Sequence, residues 1–297
     1  MMEKSRDESR LTGGRMSETA LKPANQNPWY VLMTLYGEQT GEVVDWDLHQ
    51  RNRAAWNAWA VFAAPAVRDN AQVVIQDLPP PDHWYETGAS IRSGFETEYQ
   101  RRNPGKSVPS CPEPSSSELI DMQGLDHATL LCMSQLFFPS RAYFNCSRFR
   151  RQVIAQNAWF DKPIKFTECD VDCGGTFQNS VANGVFDFSR STLSNGLNLQ
   201  AMRCTSLDLH NCKVRGDLSI TEVNCTKLAQ MSEIQPLGDA TWNLLGYNFN
   251  ASDWVFLNKT IVRGNLILSG SRFDSTLSAP DLRERLINGF GFAEMAV

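Results

Sequence analysis

From Ile120 to Cys225 the apolar residues recur at a spacing of 22, and that spacing limits the folds open to the chain. Met122, Phe144, Phe166 and Phe188 form one column, continued at Leu209 after a step of 21. Ile120, Ala142, Ile164, Phe186 and Leu207 form its companion two residues earlier. Three further pairs of columns begin at Leu125 and His127, at Leu131 and Met133, and at Leu136 and Phe138. Of the 40 positions in these eight columns, 35 are apolar; the exceptions are His127, Ser147, Gly175, Ser180 and Ser191. The chain as a whole is 42% hydrophobic, so the columns hold about twice the share that chance would place there. Self-similarity at such a period is the mark of stacked repeats.

Within one coil the second members of the pairs fall at 144, 149, 155, 160 and 166. Residues two apart share a side of an extended segment, and the residue between them points the other way. Four short strands per coil, each with two inward residues, make a four-sided tube. Successive coils then stack by parallel backbone hydrogen bonds. The fold class expected is mainly β: a parallel β-helix of about 22 residues per coil with a small helical element at its N-terminal side.

The outline of single coils supports a family resemblance. Ala142-Tyr143-Phe144-Asn145-Cys146 is followed by Ser147-Arg148-Phe149-Arg150-Arg151, and similar fives occur at 197–201, 207–211 and 271–275. Each sets a small or apolar residue, a polar one, a Leu or Phe, then two more. This chain resembles the pentapeptide-repeat family over residues 119–275. The resemblance implies a right-handed quadrilateral β-helix. The six-residue steps depart from the strict period of five, so some faces are expected to bulge. Residues 229–241 break the register and are expected to be a loop. A last coil and a half would then be carried by Leu244, Phe249, Phe256, Val262, Leu268 and Phe273.

The flanks differ in character. Residues 1–27 are polar and are expected to be a disordered tail. Residues 28–78 are expected to form a helical element, with a helix over Glu42–Phe62 stopped by Pro65. Its stripe is Val44, Leu48, Ala55, Trp59 and Phe62. Asn27-Pro28-Trp29-Tyr30 and this Trp-rich helix resemble the N-terminal region of some bacterial family members. Residues 79–118 carry Pro79-Pro80-Pro81, Pro104-Gly105 and Ser115-Ser116-Ser117 and are expected to be a linker, with a short helix over 90–101. Residues 276–297 are expected to cap the tube through a helix from Pro280 to Gly289.

Catalytic signals are absent from the sequence. There is no HExxH, GxSxG or GxGxxG, and Pro104-Gly105-Lys106-Ser107 lacks the first glycine of a phosphate loop. Cys169-Asp170-Val171-Asp172-Cys173 invites a metal, but Cys169 lies in an inward column and Asp170 points the other way. His49, His83, His127 and His210 have no nucleophile nearby in sequence. No catalytic, cofactor or metal residue is assigned. The eight cysteines are expected to be reduced, with Cys204 and Cys225 adjacent in one column.

Charge narrows the function classes. A formal net charge of −5 argues against a basic nucleic-acid binder. Some pentapeptide-repeat proteins inhibit DNA gyrase as acidic mimics of DNA. Residues 119–275 hold fourteen acids and fourteen bases, which disfavours that role here. A carbohydrate-active β-helix enzyme is the other alternative. The leading expectation is a non-enzymatic binding or scaffold protein with a protein partner, no nucleic acid and no membrane. The first ten residues carry no apolar stretch, so a cytoplasmic location is expected. Outward positions on the third and fourth faces place Phe137, Ile154, Trp159 and Val181 together, a candidate interface. Residues 28–64, through Trp59 and Phe62, are expected to fold over it along coils one to three; the rival is a free patch that binds a partner or a second copy of the chain.

Overall fold

The computed structural model describes residues 20–238 and 242–248, and the strands Asn250–Ala251, Trp254–Phe256, Leu266–Ile267 and Arg272–Phe273. The expected cap helix at 280–289 lies outside the described residues, as do Phe249, Val262 and Leu268.

The periodic segment is a parallel β-solenoid whose strands pair in the register of the columns. On the first face Ile120 pairs with Ala142, Ile164 with Ala142 and Phe186, and Phe186 with Leu207. The third face runs from Leu131 through Val153, Gly175, Leu197 and Leu218 to Leu244 and Leu266. Inward rings stack on their neighbours in the next coil. Phe144 and Phe166 lie 4.6 Å apart at 6°, and Phe166 and Phe188 lie 4.5 Å apart at 11°. Burying each such ring contributes about 2 kcal/mol.

Serine and cysteine interrupt the columns for a reason of hydrogen bonding. Most strands are two residues long, so the corners leave many backbone groups to satisfy. Ser147 Oγ accepts from Leu125 N at 3.0 Å and donates to Met122 O at 3.2 Å. Ser191 does the same between Cys169 N and Phe166 O. Cys169 and Cys212 donate their thiols to Phe144 O and Phe188 O. A small inward residue with a donor thus ties one coil to the one before it.

Corners carry the turning. Two corners per coil place a non-glycine residue in the left-handed region: Cys146, Glu168, Arg190, Asn211 and Glu233 at one, Gln135, Asn157, Asn179, Ala201 and Glu222 at the other. That conformation costs a non-glycine residue about 1–2 kcal/mol, against about 0.5–1 kcal/mol for the extra freedom a glycine loses. Ala201 has φ 55°. Ala201→Gly is therefore expected to raise stability by about 0.5–1 kcal/mol, and Ala201→Val to lower it by about 1–2 kcal/mol. Calorimetric melting of both variants checks this.

The extra residue of each six-residue step sits at a corner, not on a face as expected. Gly174, Gly196 and Gly216 occupy the corner between the second and third faces at φ 76°, 76° and 88°. Between the fourth face and the first, strand Val181–Asp187 runs through the corner with a register shift between Ala182 and Val185. Its neighbour Arg203–Asp208 lacks the extra residue, which accounts for the step of 21.

Residues 229–241 are not one loop. Leu228–Gln230 and Gln235–Pro236 are strands paired with Leu207–Asp208 and Lys213–Val214 in ordinary register. Val214 pairs with Pro236, 22 residues on, but Leu218 pairs with Leu244, 26 residues on. Four added residues before Trp242 therefore enlarge one corner. Leu244 and Phe273 take inward register, whereas Phe256 pairs with Gln230, one place off the inward column.

The N-terminal portion is more ordered than expected. Lys22–Pro23 is a strand, inside the expected tail, because it adds to the free edge of the second face at Leu125–Asp126. Four helices follow: α1 (Pro28–Met33), α2 (Trp46–Ala63), α3 (Arg68–Gln72) and α4 (His83–Arg102). Asp45 starts α2 by accepting from Leu48 N at 3.0 Å. α4 fills half of the expected linker. Its buried residues Trp84, Gly88, Ile91, Phe95 and Tyr99 recur every three or four places, and that stripe packs on α1 and α2.

Candidate functional site

The helical portion covers the open edge of the first coil. It does not lie along coils one to three, as expected from the sequence. An uncovered end would leave a ring of unpaired N–H and C=O groups and an exposed core. Residues 22–57 meet that ring on every face. Asn27 Nδ2 donates to Asp121 O at 2.9 Å on the first face, while its Oδ1 caps α1 at Tyr30 N. Lys22 N donates to Gly124 O on the second. Leu130 N donates to Gln39 O on the third. On the fourth, Asn57 accepts from Phe137 N at 2.9 Å and donates to Gln135 O at 3.0 Å. Trp56 Nε1 adds a bond to Phe137 O at 2.8 Å, and His49 Nε2 meets Ser134 O at 2.7 Å.

This arrangement decides where each predicted interface residue goes. Phe137 is fully buried beneath α2, with Trp56 packed on its neighbour Phe138 at 5.1 Å. Ile154 packs with Leu130, Cys132 and Val44. Trp159 and Val181 are buried, 7% and 6% exposed, and Trp159 Nε1 has no partner. Trp59 does not reach the tube faces. It sits between Trp29 and Trp56, at 5.3 and 5.2 Å, and donates to Pro112 O at 3.0 Å. Phe62 is half-buried against Trp84 and Tyr85. The six residues do not form one exposed patch.

Charged side chains on the outer faces pair across coils. Arg150 grips Asp126 with two nitrogens at 2.7 and 2.8 Å, which holds that carboxyl below its ordinary range. Arg148 meets Asp172 at 3.0 Å, Arg190 meets Glu168 at 3.1 Å and Lys165 meets Asp187 at 3.6 Å. Cys169 and Cys173 do not converge: the first is buried against Phe144 O, and the exposed second reaches Arg150 O. The thiols of Cys204 and Cys225 share a hydrogen bond at 3.3 Å and form no disulfide. Among the described residues no three His, Cys, Asp or Glu side chains gather around one point.

A shallow groove of about 580 Å³ runs along the third face. Thr176, Asn198 and Ser219 stack in register along it, beside Gln152, Asn195 and Asp217. No sequence motif marks it; its signal is the run of small polar residues at outward positions of one face. Among the described residues no helix is long and apolar enough to cross a membrane.

No family model, curated protein or solved structure matches this chain.

Proposed function

We propose that the protein is a non-enzymatic binding scaffold of the pentapeptide-repeat kind, and that a protein partner lies along the third face. The observation that carries this reading is the polar groove of Thr176, Asn198 and Ser219. Its polar side chains are amides and hydroxyls, with Asp217 as the one carboxylate and Cys173 as the one thiol among its described residues. Acid–base chemistry would ask for a second titrating group paired with Asp217, whereas Asp217 accepts from Asn243 and the Cys173 thiol donates to Arg150 O. The acidic-rod alternative is weakened by the cross-coil pairs, which spend carboxylates on neighbouring arginines and lysines.

The test is a comparison of captures from native lysate. Wild-type protein is set against Thr176→Arg with Asn198→Arg, both half-buried outward positions whose change leaves the core untouched. A partner retained by the wild type and lost at least tenfold by the double variant, at unchanged melting temperature, is the expected result. Equal capture by both, or inhibition of gyrase supercoiling at stoichiometric protein, would overturn it.

A further inference from the structure

The junction between the N-terminal cap and the first coil holds two buried imidazoles. His127 occupies an inward column whose other members are Phe149, Val171, Leu193 and Val214. It is 0% exposed, and neither ring nitrogen has a hydrogen-bond partner. Phe149 stacks on it from the second coil at 4.5 Å and 11°, and Tyr30 of α1 meets it edge-on at 5.3 Å. His49 of α2, 4% exposed, reaches across to Ser134 O and packs against Trp46. One histidine belongs to the tube and the other to the cap, so both are uncovered when the cap lifts.

We infer that the cap is an acid-released latch: proton uptake at His127 and His49 favours the state in which residues 22–63 have left the edge of the first coil. Burial outweighs the groups that favour a charged ring, which are Asp126 at His127 and the Ser134 carbonyl at His49. On the tube side the nearest charge is Asp126, adjacent in the strand and already gripped by Arg150, with Arg148 and the added strand's Lys22 nearby. On the cap side Tyr30 is held by Glu38 Oε1 at 3.0 Å and by Thr129, with Arg102 beyond. His49 has Arg53 on its own helix, one turn on. Burial pushes His127 down to about 3 and lowers His49 as well. The sign follows. The closed state keeps both rings neutral where the open state takes up protons, so closure is fully favoured above the ordinary histidine range and weakens as pH falls below about 6.5.

Magnitude sets the readout. Each histidine that titrates only in the open state shifts the opening equilibrium about tenfold per pH unit. Amide hydrogen exchange on the full chain between pH 7.5 and 4.5 measures it. The reporters are Leu130 N and Phe137 N, whose acceptors are Gln39 and Asn57 of the cap. Val181 N and Thr192 N, bonded within the tube, are the reference. After correction for intrinsic exchange, protection at Leu130 and Phe137 is expected to fall at least tenfold per pH unit below about 6.5, with the reference amides unchanged.

Two variants separate the cause. His127→Phe continues the Phe149 stack without a titrating group, and His49→Gln keeps a donor for Ser134 O. Each is expected to make the pH slope shallower, and the pair together to flatten it. His49→Gln alone carries the test where His127→Phe does not fold. A double variant, or His49→Gln alone in that case, with the wild-type slope would overturn the inference. So would equal loss of protection at Val181 and Thr192, which would mean that acid melts the whole tube.

Discussion

Trp56→Ala is expected to lower the stability of the protein by about 3–5 kcal/mol, the range for emptying a buried tryptophan site. The side chain is fully buried, packs on Phe138 and Trp59, and donates to Phe137 O. Its loss removes the largest group that α2 sets against the tube and leaves Phe137 O with no donor from the cap. Trp56→Phe keeps most of the ring and gives up the donor, so a smaller loss of about 1–3 kcal/mol is expected. Urea unfolding followed by circular dichroism ranks the two. A Trp56→Ala protein within about 1 kcal/mol of wild type would mean that the first coil is stable without its cover.

Gly196→Ala is the second large effect. A Cβ there would meet Asp217 O at 2.2 Å and Asp217 N at 2.8 Å, and the backbone stands at φ 76°. The obstructing atoms are backbone of the next coil, so relief requires the coils to part. Gly124→Ala supplies the contrast. It has φ 65° and nothing within 4 Å of the added carbon. It should cost the left-handed strain less the freedom that a glycine loses on folding, a net of about 0.5–1 kcal/mol. Gly196→Ala should add the cost of a broken inter-coil contact, for a total above about 3 kcal/mol or a protein that does not accumulate in soluble form. Similar melting temperatures for the two would sink the account of the corner.

The tube was legible because its signal repeats. Each inward column tests the register again in every coil, and a wrong spacing fails within two coils. Even the polar exceptions Ser147 and Ser191 fitted, as small residues in the right column. Local exceptions were harder to read. The break at 229–241 is real, but a single insertion shifts every later residue, and nothing in the sequence separates the strands Leu228–Gln230 and Gln235–Pro236 from a loop. The second half of α4 is legible as the expected short helix over 90–101, while its first half is hidden by composition. Prolines at 79–81 and 104 marked its borders, while the stripe Trp84, Gly88, Ile91, Phe95, Tyr99 lay between them.

Placement of the cap was not legible for a different reason. Outward apolar residues such as Phe137 and Trp159 say that something covers them and do not say from which direction. The deciding side chains are Asn57 and Asn27, which serve backbone edges. An amide that will bind a strand edge looks in sequence like any surface amide. The candidate groove was missed for the same reason, since Thr176, Asn198 and Ser219 read as plain solvent-facing positions.

The cap also precedes the tube in chain order. Residues 22–57, which pair with the edge of coil one, are synthesised before it. Coil one therefore meets its cover as it emerges, and each later coil docks onto an edge already paired below it. The costly nucleus is met once, near the N-terminal side, and growth then proceeds by addition, as in seeded polymerisation. Assembly has a direction, and on the ribosome that direction coincides with synthesis.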